Sequence, residues 1–223
     1  MKKNWQYKKN QKKYPTSYPS ETLIRILLSS KKYLGIELNI FEKNFKVFEL
    51  GSFYGNNLRF FLDNKIDVYG SEIDNKGVAR CTKNLKKIGY KNLKISKAEN
   101  IKTNKKNNSF DLLISINTLH YSIGKDIEKS LKEFSRVLKK NGIAIIETPN
   151  KNHQVFKNSK KIRKFEYVWN YNDFRKNQKF GFIENKLDFK KICLKYFKKV
   201  LSFSSNSNFK MMKLSSNFFI CVK

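Results

Sequence analysis

The chain alternates short apolar runs with amphipathic segments over most of its length. In "SETLIRILLSSKKYL", Leu23, Ile26, Leu27 and Leu34 recur at helical spacing, and Ser20 or Thr22 can cap the start. "KVFEL" reads as a short buried strand, and "GNNLRFFLDN" opens a helix directly after a glycine turn. "DVYGSEI" is a second strand and "NKGVARCTKNLKKIG" a helix ended by Gly89. "NLKIS" is a third strand, "TNKKNNS" a loop, and "FDLLISI" a fourth strand. The uninterrupted apolar run of that fourth strand suits a parallel sheet covered on both faces. "KDIEKSLKEFSRVLKKNG" predicts an amphipathic helix stopped at Gly142, and "IAIIET" a fifth strand ended by Pro149.

This alternation predicts a doubly wound α/β sheet with right-handed crossovers. Ligands of such sheets sit beyond the carboxyl ends of the strands, where the strand order reverses. After Pro149 the pattern changes: residues 150 to about 185 are polar, basic and aromatic without a clear period. They read as a lid or inserted subdomain. "KLDFKKICLKYF" restores a helix, and "KVLSFSS" and "NFFICV" predict a closing antiparallel hairpin. The expected division is a tail and capping helix over 1–44, an α/β core over 45–150, a lid or insert over 151–186, and a helix and hairpin completing the core over 187–223.

Composition narrows the setting. A length of 223 residues with 39% hydrophobic content suits one domain with a real core. No apolar run approaches the roughly 20 residues that span a bilayer, and the basic start has no apolar stretch of the secretory kind. Cys81, Cys193 and Cys221 are scattered, odd in number and without metal-ligand spacing, so they read as free thiols in a reducing cytoplasm. The net charge of +30 invites a nucleic-acid partner. Against it, the excess is nearly all lysine, and lysine, asparagine, isoleucine and phenylalanine share A/T-rich codons. Arginine, the preferred bidentate reader of phosphate and guanine, is scarce. Nucleic acid is therefore a possible partner but not the favoured one.

The chemistry concentrates in "FELGSFYGNN" and "DVYGSEID". Glu49, Gly51 and Gly55 form an acid-x-Gly-x-x-x-Gly turn, which lets the backbone approach a ligand closely. It does not follow the G-x-G-x-x-G of phosphate-binding dinucleotide turns. With "KAENI", "SFDLLISINTLHY" and "EFSRVLKKNGIAIIETPN" in order behind it, this stretch resembles the first motif of class I S-adenosylmethionine-dependent methyltransferases. The resemblance covers residues 45–150 closely and 187–223 in outline. It implies a Rossmann-like, mostly parallel seven-stranded sheet with a carboxyl-terminal antiparallel hairpin, and S-adenosylmethionine as cofactor. It further implies cofactor contacts from Glu49, Gly51, Ser52, Gly55, Glu72, Ile73, Ala98, Glu99 and Asn117. Glu72 stands where the family's acid grips both ribose hydroxyls, and Glu49 where an acid orients the turn and the methionine amino group. Two positions depart from the pattern: Phe53 replaces a usual glycine, and Lys97 stands where an acid often reaches the adenine amino group. Glu99 can substitute for that acid, and the Ala98 amide can serve an adenine nitrogen.

On the acceptor side, Asn117, His120 and Tyr121 follow the fourth strand, where the family meets the transferring methyl. His120 and Tyr121 are the candidate catalytic residues, with His120 as general base or acceptor hydrogen bond. The tail and "YPSETLIRIL" resemble segments of small-molecule and bacterial glycan methyltransferases that fold over cofactor and acceptor. Tyr14, Tyr18 and His153 are the candidate substrate-binding residues. No metal site is expected. The reading is transfer to a small-molecule or sugar acceptor, with O-methylation favoured. Its alternatives are an RNA or protein methyltransferase, for which no Asn/Asp-Pro-Pro-aromatic run and no nucleophilic cysteine near the acceptor is present, and a non-catalytic binding protein on a degenerate fold.

Overall fold

The computed structural model describes residues 18–173, 175–209 and 212–223. In chain order its helices are α1 (Glu21–Leu34), α2 (Asn56–Asp63), α3 (Asn75–Lys87), α4 (Asp126–Val137), α5 (Gln154–Lys157) and α6 (Lys186–Cys193). Its strands are β1 (Lys46–Leu50), β2 (Asp67–Glu72), β3 (Lys94–Lys97), β4 (Phe110–Ile116), β5 (Leu138–Pro149), β6 (Ser159–Arg163), β7 (Glu166–Trp169), β8 (Lys179–Phe180), β9 (Lys199–Phe209) and β10 (Met212–Val222). Seven strands form the main sheet in the order β3-β2-β1-β4-β5-β10-β9. All neighbours from β3 to β5 are parallel, and β10 pairs antiparallel with both β5 and β9. This is the Rossmann-like sheet with a terminal hairpin that the strand pattern predicts. The order reverses between β1 and β4, so the binding crevice of this topology lies above those two carboxyl ends.

Both faces of the sheet are covered. On one side Leu131 and Phe134 of α4 and Phe189 of α6 pack with Leu113, Ile146 and Phe219. On the other, Leu23 and Leu27 of α1, Leu58 and Phe61 of α2, and Leu85 of α3 pack with Val47, Leu112 and Ile145. Full burial of each such side chain contributes about 1.5–3 kcal/mol. The continuous apolar run of β4 follows from this: Leu112, Leu113 and Ile114 are all fully buried because adjacent residues face different helical layers. Ser20 caps α1, its hydroxyl accepting from Leu23 N–H, and Gly35 ends the helix in the left-handed region. The three cysteines, Cys81 of α3, Cys193 of α6 and Cys221 of β10, are buried free thiols.

Two elements differ from the sequence pattern. The helix expected to reach Gly142 stops at Val137. Leu138 takes an extended backbone, pairs with Phe110, and residues between it and Ile143 bulge out of register. Strand pairing of two buried residues outweighs the helical period of the exposed lysines that follow. The segment after Pro149, which shows no period, holds α5 and a three-stranded antiparallel sheet in the order β6-β7-β8. Its strands are too short for alternation to register. It has its own apolar cluster of Tyr167, Trp169, Phe180 and Phe182, backed by Val155 and Phe156.

That small sheet docks on the turn after β4. Gly181 N–H donates to His120 C=O at 2.7 Å. A Cβ at Gly181 would lie 1.9 Å from the Ser122 carbonyl oxygen, so backbone meets backbone here and only glycine fits. Gly181→Ala is expected to lower unfolding free energy by about 3 kcal/mol through forced repacking. Gly35→Ala, whose Cβ would meet nothing within 4 Å, should cost only about 1 kcal/mol from its left-handed backbone. Urea titration of the two variants checks the contrast.

Candidate functional site

The turn after β1 is held by its own side chains. Gly51 and Gly55 have φ of 68° and 81°, and Phe53 between them has φ of 51°. The conformation a glycine would supply is therefore kept by a phenylalanine, at a cost of about 1–2 kcal/mol for the left-handed backbone. Ser52 stitches the turn to β2: its N–H donates to Ser71 C=O at 3.0 Å, and its Oγ accepts from Ser71 N–H at 3.2 Å. A Cβ on Gly51 would lie 2.4 Å from Thr118 Oγ1, so the turn sits directly against the segment leaving β4. The Phe53 ring packs edge-on against Tyr54 and lies 4.8 Å from the Arg80 guanidinium carbon.

Acidic side chains collect at the carboxyl ends of the strands. Glu72, at the end of β2, accepts from Phe53 N–H and pairs with Arg80 Nη2 at 3.6 Å. Burial raises its pKa, opposed by the Phe53 hydrogen bond and by Arg80. Glu49, on β1, is 2% exposed; its Oε1 accepts from Asn57 Nδ2 at 2.7 Å, while its buried Oε2 has no hydrogen-bond partner. Burial pushes Glu49 up to about 8. Asn57 Oδ1 in turn accepts from Ser20 N–H at 2.9 Å, tying the start of α1 to this carboxylate. Glu147, near the end of β5, is 8% exposed, and its Oε2 accepts from Asn117 Nδ2 at 3.4 Å. Burial raises its pKa as well.

The remaining residues singled out by sequence fall in distinct places. Asn117 is exposed, with φ of 51°, at the mouth of the crevice beside Thr118. Ile73 is 40% exposed directly after Glu72. The Ala98 amide, expected to be open to an adenine nitrogen, instead donates to Glu72 C=O at 2.9 Å, because the β2–β3 ladder runs one residue further than the motif suggests. Glu99 pairs backbone to backbone with Lys102. His120 and Tyr121 lie in a 3-10 turn, Leu119–Tyr121, after β4. The His120 ring, 5% exposed, stacks among Tyr121, Phe180 and Phe182 at 4.4, 5.8 and 6.0 Å. Burial, with His153 nearby, lowers His120 to about 3, so its imidazole is neutral at physiological pH. Tyr121 is 37% exposed, yet the protein around it pushes its hydroxyl up to about 12. His153 caps α5, its Nδ1 accepting from Val155 N–H at 3.0 Å. Tyr18 is 83% exposed near Arg59, and Tyr14 lies outside the described residues. An open cleft of about 520 Å³ lies elsewhere, at the amino ends of β2 and β3 between Asp67 and Lys94.

Residues 48–146 match the family model described as a methyltransferase domain. Over those residues the core is similar to the methyltransferase domain family, and its fold is that of S-adenosylmethionine-dependent methyltransferases. No curated protein matches the sequence. The fold of this domain is shared with solved structures of low identity. An S-adenosylmethionine-dependent methyltransferase from Methanosarcina mazei superposes with a TM-score of 0.66 at 10% identity, covering 82% of this chain and 94% of that one. A protein from Pyrococcus horikoshii gives 0.63 at 18% identity, covering 94% and 96%. A phosphoethanolamine N-methyltransferase from Haemonchus contortus, solved with phosphomonomethylethanolamine and S-adenosylhomocysteine, gives 0.62 at 14% identity, covering 92% and 53%.

S-adenosylmethionine is the cofactor of this domain class, and the residues present fit it. The methyltransferase turn keeps three left-handed residues, a carboxylate stands at the end of β2, and the orphaned Oε2 of Glu49 lacks a donor or cation. Three polar residues near these strand ends were not singled out from the sequence. Asn57 is signalled only by "GNN" at a helix start. Arg80 is one of few arginines in a lysine-rich chain. Glu147 closes an apolar strand with an acid, as Glu49 and Glu72 do.

Glu49 also gives a pH test. Its folded pKa, about 8, lies above the ordinary 4.5, so the native state holds this proton more tightly than the unfolded chain does. Native stability from this group is greatest below 4.5 and declines as pH rises towards 8. Glu49→Gln keeps the acceptor for Asn57 and removes the titration. The variant is expected to gain melting temperature relative to the parent between pH 5 and pH 8, measured without cofactor by calorimetry.

Proposed function

We propose that the chain transfers a methyl group from S-adenosylmethionine to a hydroxyl of a small-molecule or sugar acceptor, in the cytoplasm. The carrying observation is the joint placement of Glu49, the Gly51–Gly55 turn and Glu72 along the crevice where strand order reverses. When bound, the cofactor supplies a sulfonium-activated methyl carbon. Glu72 accepts hydrogen bonds from the two ribose hydroxyls, for which it must loosen its contact with Arg80. Glu49 Oε2 takes the methionyl ammonium, which brings the compensating charge that this buried carboxylate lacks. Gly51 and Ser52 give the close backbone approach, while Ile73 and Glu99 border the adenine. Asn117 stands where the methyl-bearing end meets the acceptor.

The acceptor chamber in this reading is walled by the β6–β8 sheet seated on His120 and by the start of α1. Tyr121, His153 and Tyr18 supply its polar and aromatic rim. His120 is too weak a base, at about 3, to take a proton near neutrality, so its part is a neutral hydrogen bond or a packed wall. Orientation of the nucleophile then supplies most of the rate. The same reading is supported by solvent exclusion, since the chamber rests on a folded, aromatic-cored insert rather than an open sheet edge.

The +30 charge motivates a second reading, methylation of RNA. It predicts methyl incorporation into defined RNA at physiological salt. The small-molecule reading predicts weak RNA binding that falls log-linearly with salt, and no incorporation.

Two outcomes test the proposal directly. Calorimetric titration with S-adenosylhomocysteine should show binding, and Glu72→Ala should weaken it by about 2–3 kcal/mol, roughly 30- to 150-fold. An unchanged affinity would remove Glu72 from the ribose, and absence of binding by the parent protein would favour a non-catalytic role. On an accepted substrate, the pH–rate profile should show no inflection near the ordinary histidine value of about 6.5.

A further inference from the structure

Among the described residues five glutamates are buried: Glu49, Glu72, Glu133, Glu147 and Glu166. Three of them are neutralised within the protein. Glu72 pairs with Arg80, Glu133 with Arg136, and Glu166 with both Arg163 and Lys179. Among the described residues, Glu49 and Glu147 have no such partner, in a chain that carries 48 lysines and arginines. A buried carboxylate without a cation is costly, and the cost is relieved when a cation arrives. The two unpaired acids are not scattered. One lies on β1 and the other near the end of β5, and only β4 separates those strands. Both are therefore at the crevice, on opposite sides of the strand that leads to Asn117 and His120.

Glu49 is accounted for by the methionyl ammonium in the reading above. Glu147 is not. It lies on the acceptor side of β4, one strand further from the ribose carboxylate. Its carboxylate reaches Asn117, which is exposed at the crevice mouth, so one edge of the acid opens towards the chamber. The same face of β5 carries Ile143 and Ile145, which pack beneath it in the cluster that includes α1. Those apolar neighbours offer no counter-charge.

We infer that Glu147, with Asn117 beside it, is a subsite for a protonated amino group of the acceptor, so the methylated small molecule or sugar carries an amine. The inference rests on the methyltransferase reading of the crevice. A surrounding charge of +30 disfavours cations elsewhere on the molecule, which makes a local, unneutralised carboxylate the place where an ammonium is selected. Asn117 and Ser216 orient the Glu147 carboxylate by hydrogen bonds, but neither carries a charge, so the acid keeps its need for a cation.

The test uses the full chain saturated with S-adenosylhomocysteine, so that Glu49 is already occupied. The probes are n-propylammonium, n-propanol and propionate, titrated by ligand-observed NMR. Propylammonium should bind the parent protein measurably and bind Glu147→Gln roughly 10-fold more weakly. The neutral and anionic probes should not distinguish the two proteins. S-adenosylhomocysteine affinity should be the same in both, showing that the variant is folded and its cofactor side intact. Equal propylammonium affinity in parent and variant, or no propylammonium binding by the loaded parent, would overturn the subsite. Failure of the parent to bind S-adenosylhomocysteine would instead overturn the methyltransferase reading on which it rests.

Discussion

The contact between Gly51 and Thr118 is the constraint on which the site depends. It brings the turn after β1 against the segment leaving β4 so closely that any side chain at Gly51 would collide. Parallel pairing of β1 with both β2 and β4 fixes the height of the three strand ends. The Gly51 contact then fixes how far the crevice between β1 and β4 can open. Glu49 lies two residues before this contact, Asn117 one residue before it on the other strand, and His120 two residues after. A shift of the turn would displace all of them together.

A second constraint is electrostatic. The molecule has far more cations than anions, yet several of its few acids lie buried at strand ends rather than paired on the surface. Desolvation raises the pKa of Glu49, Glu72 and Glu147 alike. The surrounding lysines do not relieve it, because their ammonium groups stay in solvent where screening is strong. Burial thus turns ordinary carboxylates into groups whose charge state depends on what binds beside them.

The layered fold was legible because its signals are long-range and repeated. Alternating periods place β1 to β4 and α1 to α3 within a residue or two of where they stand. What escaped was decided by tertiary pairing. Leu138 leaves its helix because Phe110 offers a ladder position, and the segment after Pro149 folds around four aromatic residues that no local period reveals. The site was legible where a motif fixes backbone geometry, as at Gly51 and Gly55. It was less so where a side chain's commitments matter. Phe53 adopts a glycine-like backbone, the Ala98 amide is used by the sheet, and His120 is drawn into an aromatic stack that removes its basicity. None of these follows from residue type at a given spacing.

The placement of the thiols gives the fold a built-in reporter. Cys81 sits under α3 on one face of the sheet, while Cys193 and Cys221 sit in the opposite layer. Burial pushes Cys81 up to about 12, so the closed protein offers almost no thiolate there for an alkylating reagent. Modification must wait for that layer to open. The order in which the three sulfurs become reactive would therefore trace which side of the sheet loosens first, and how independent the two layers are.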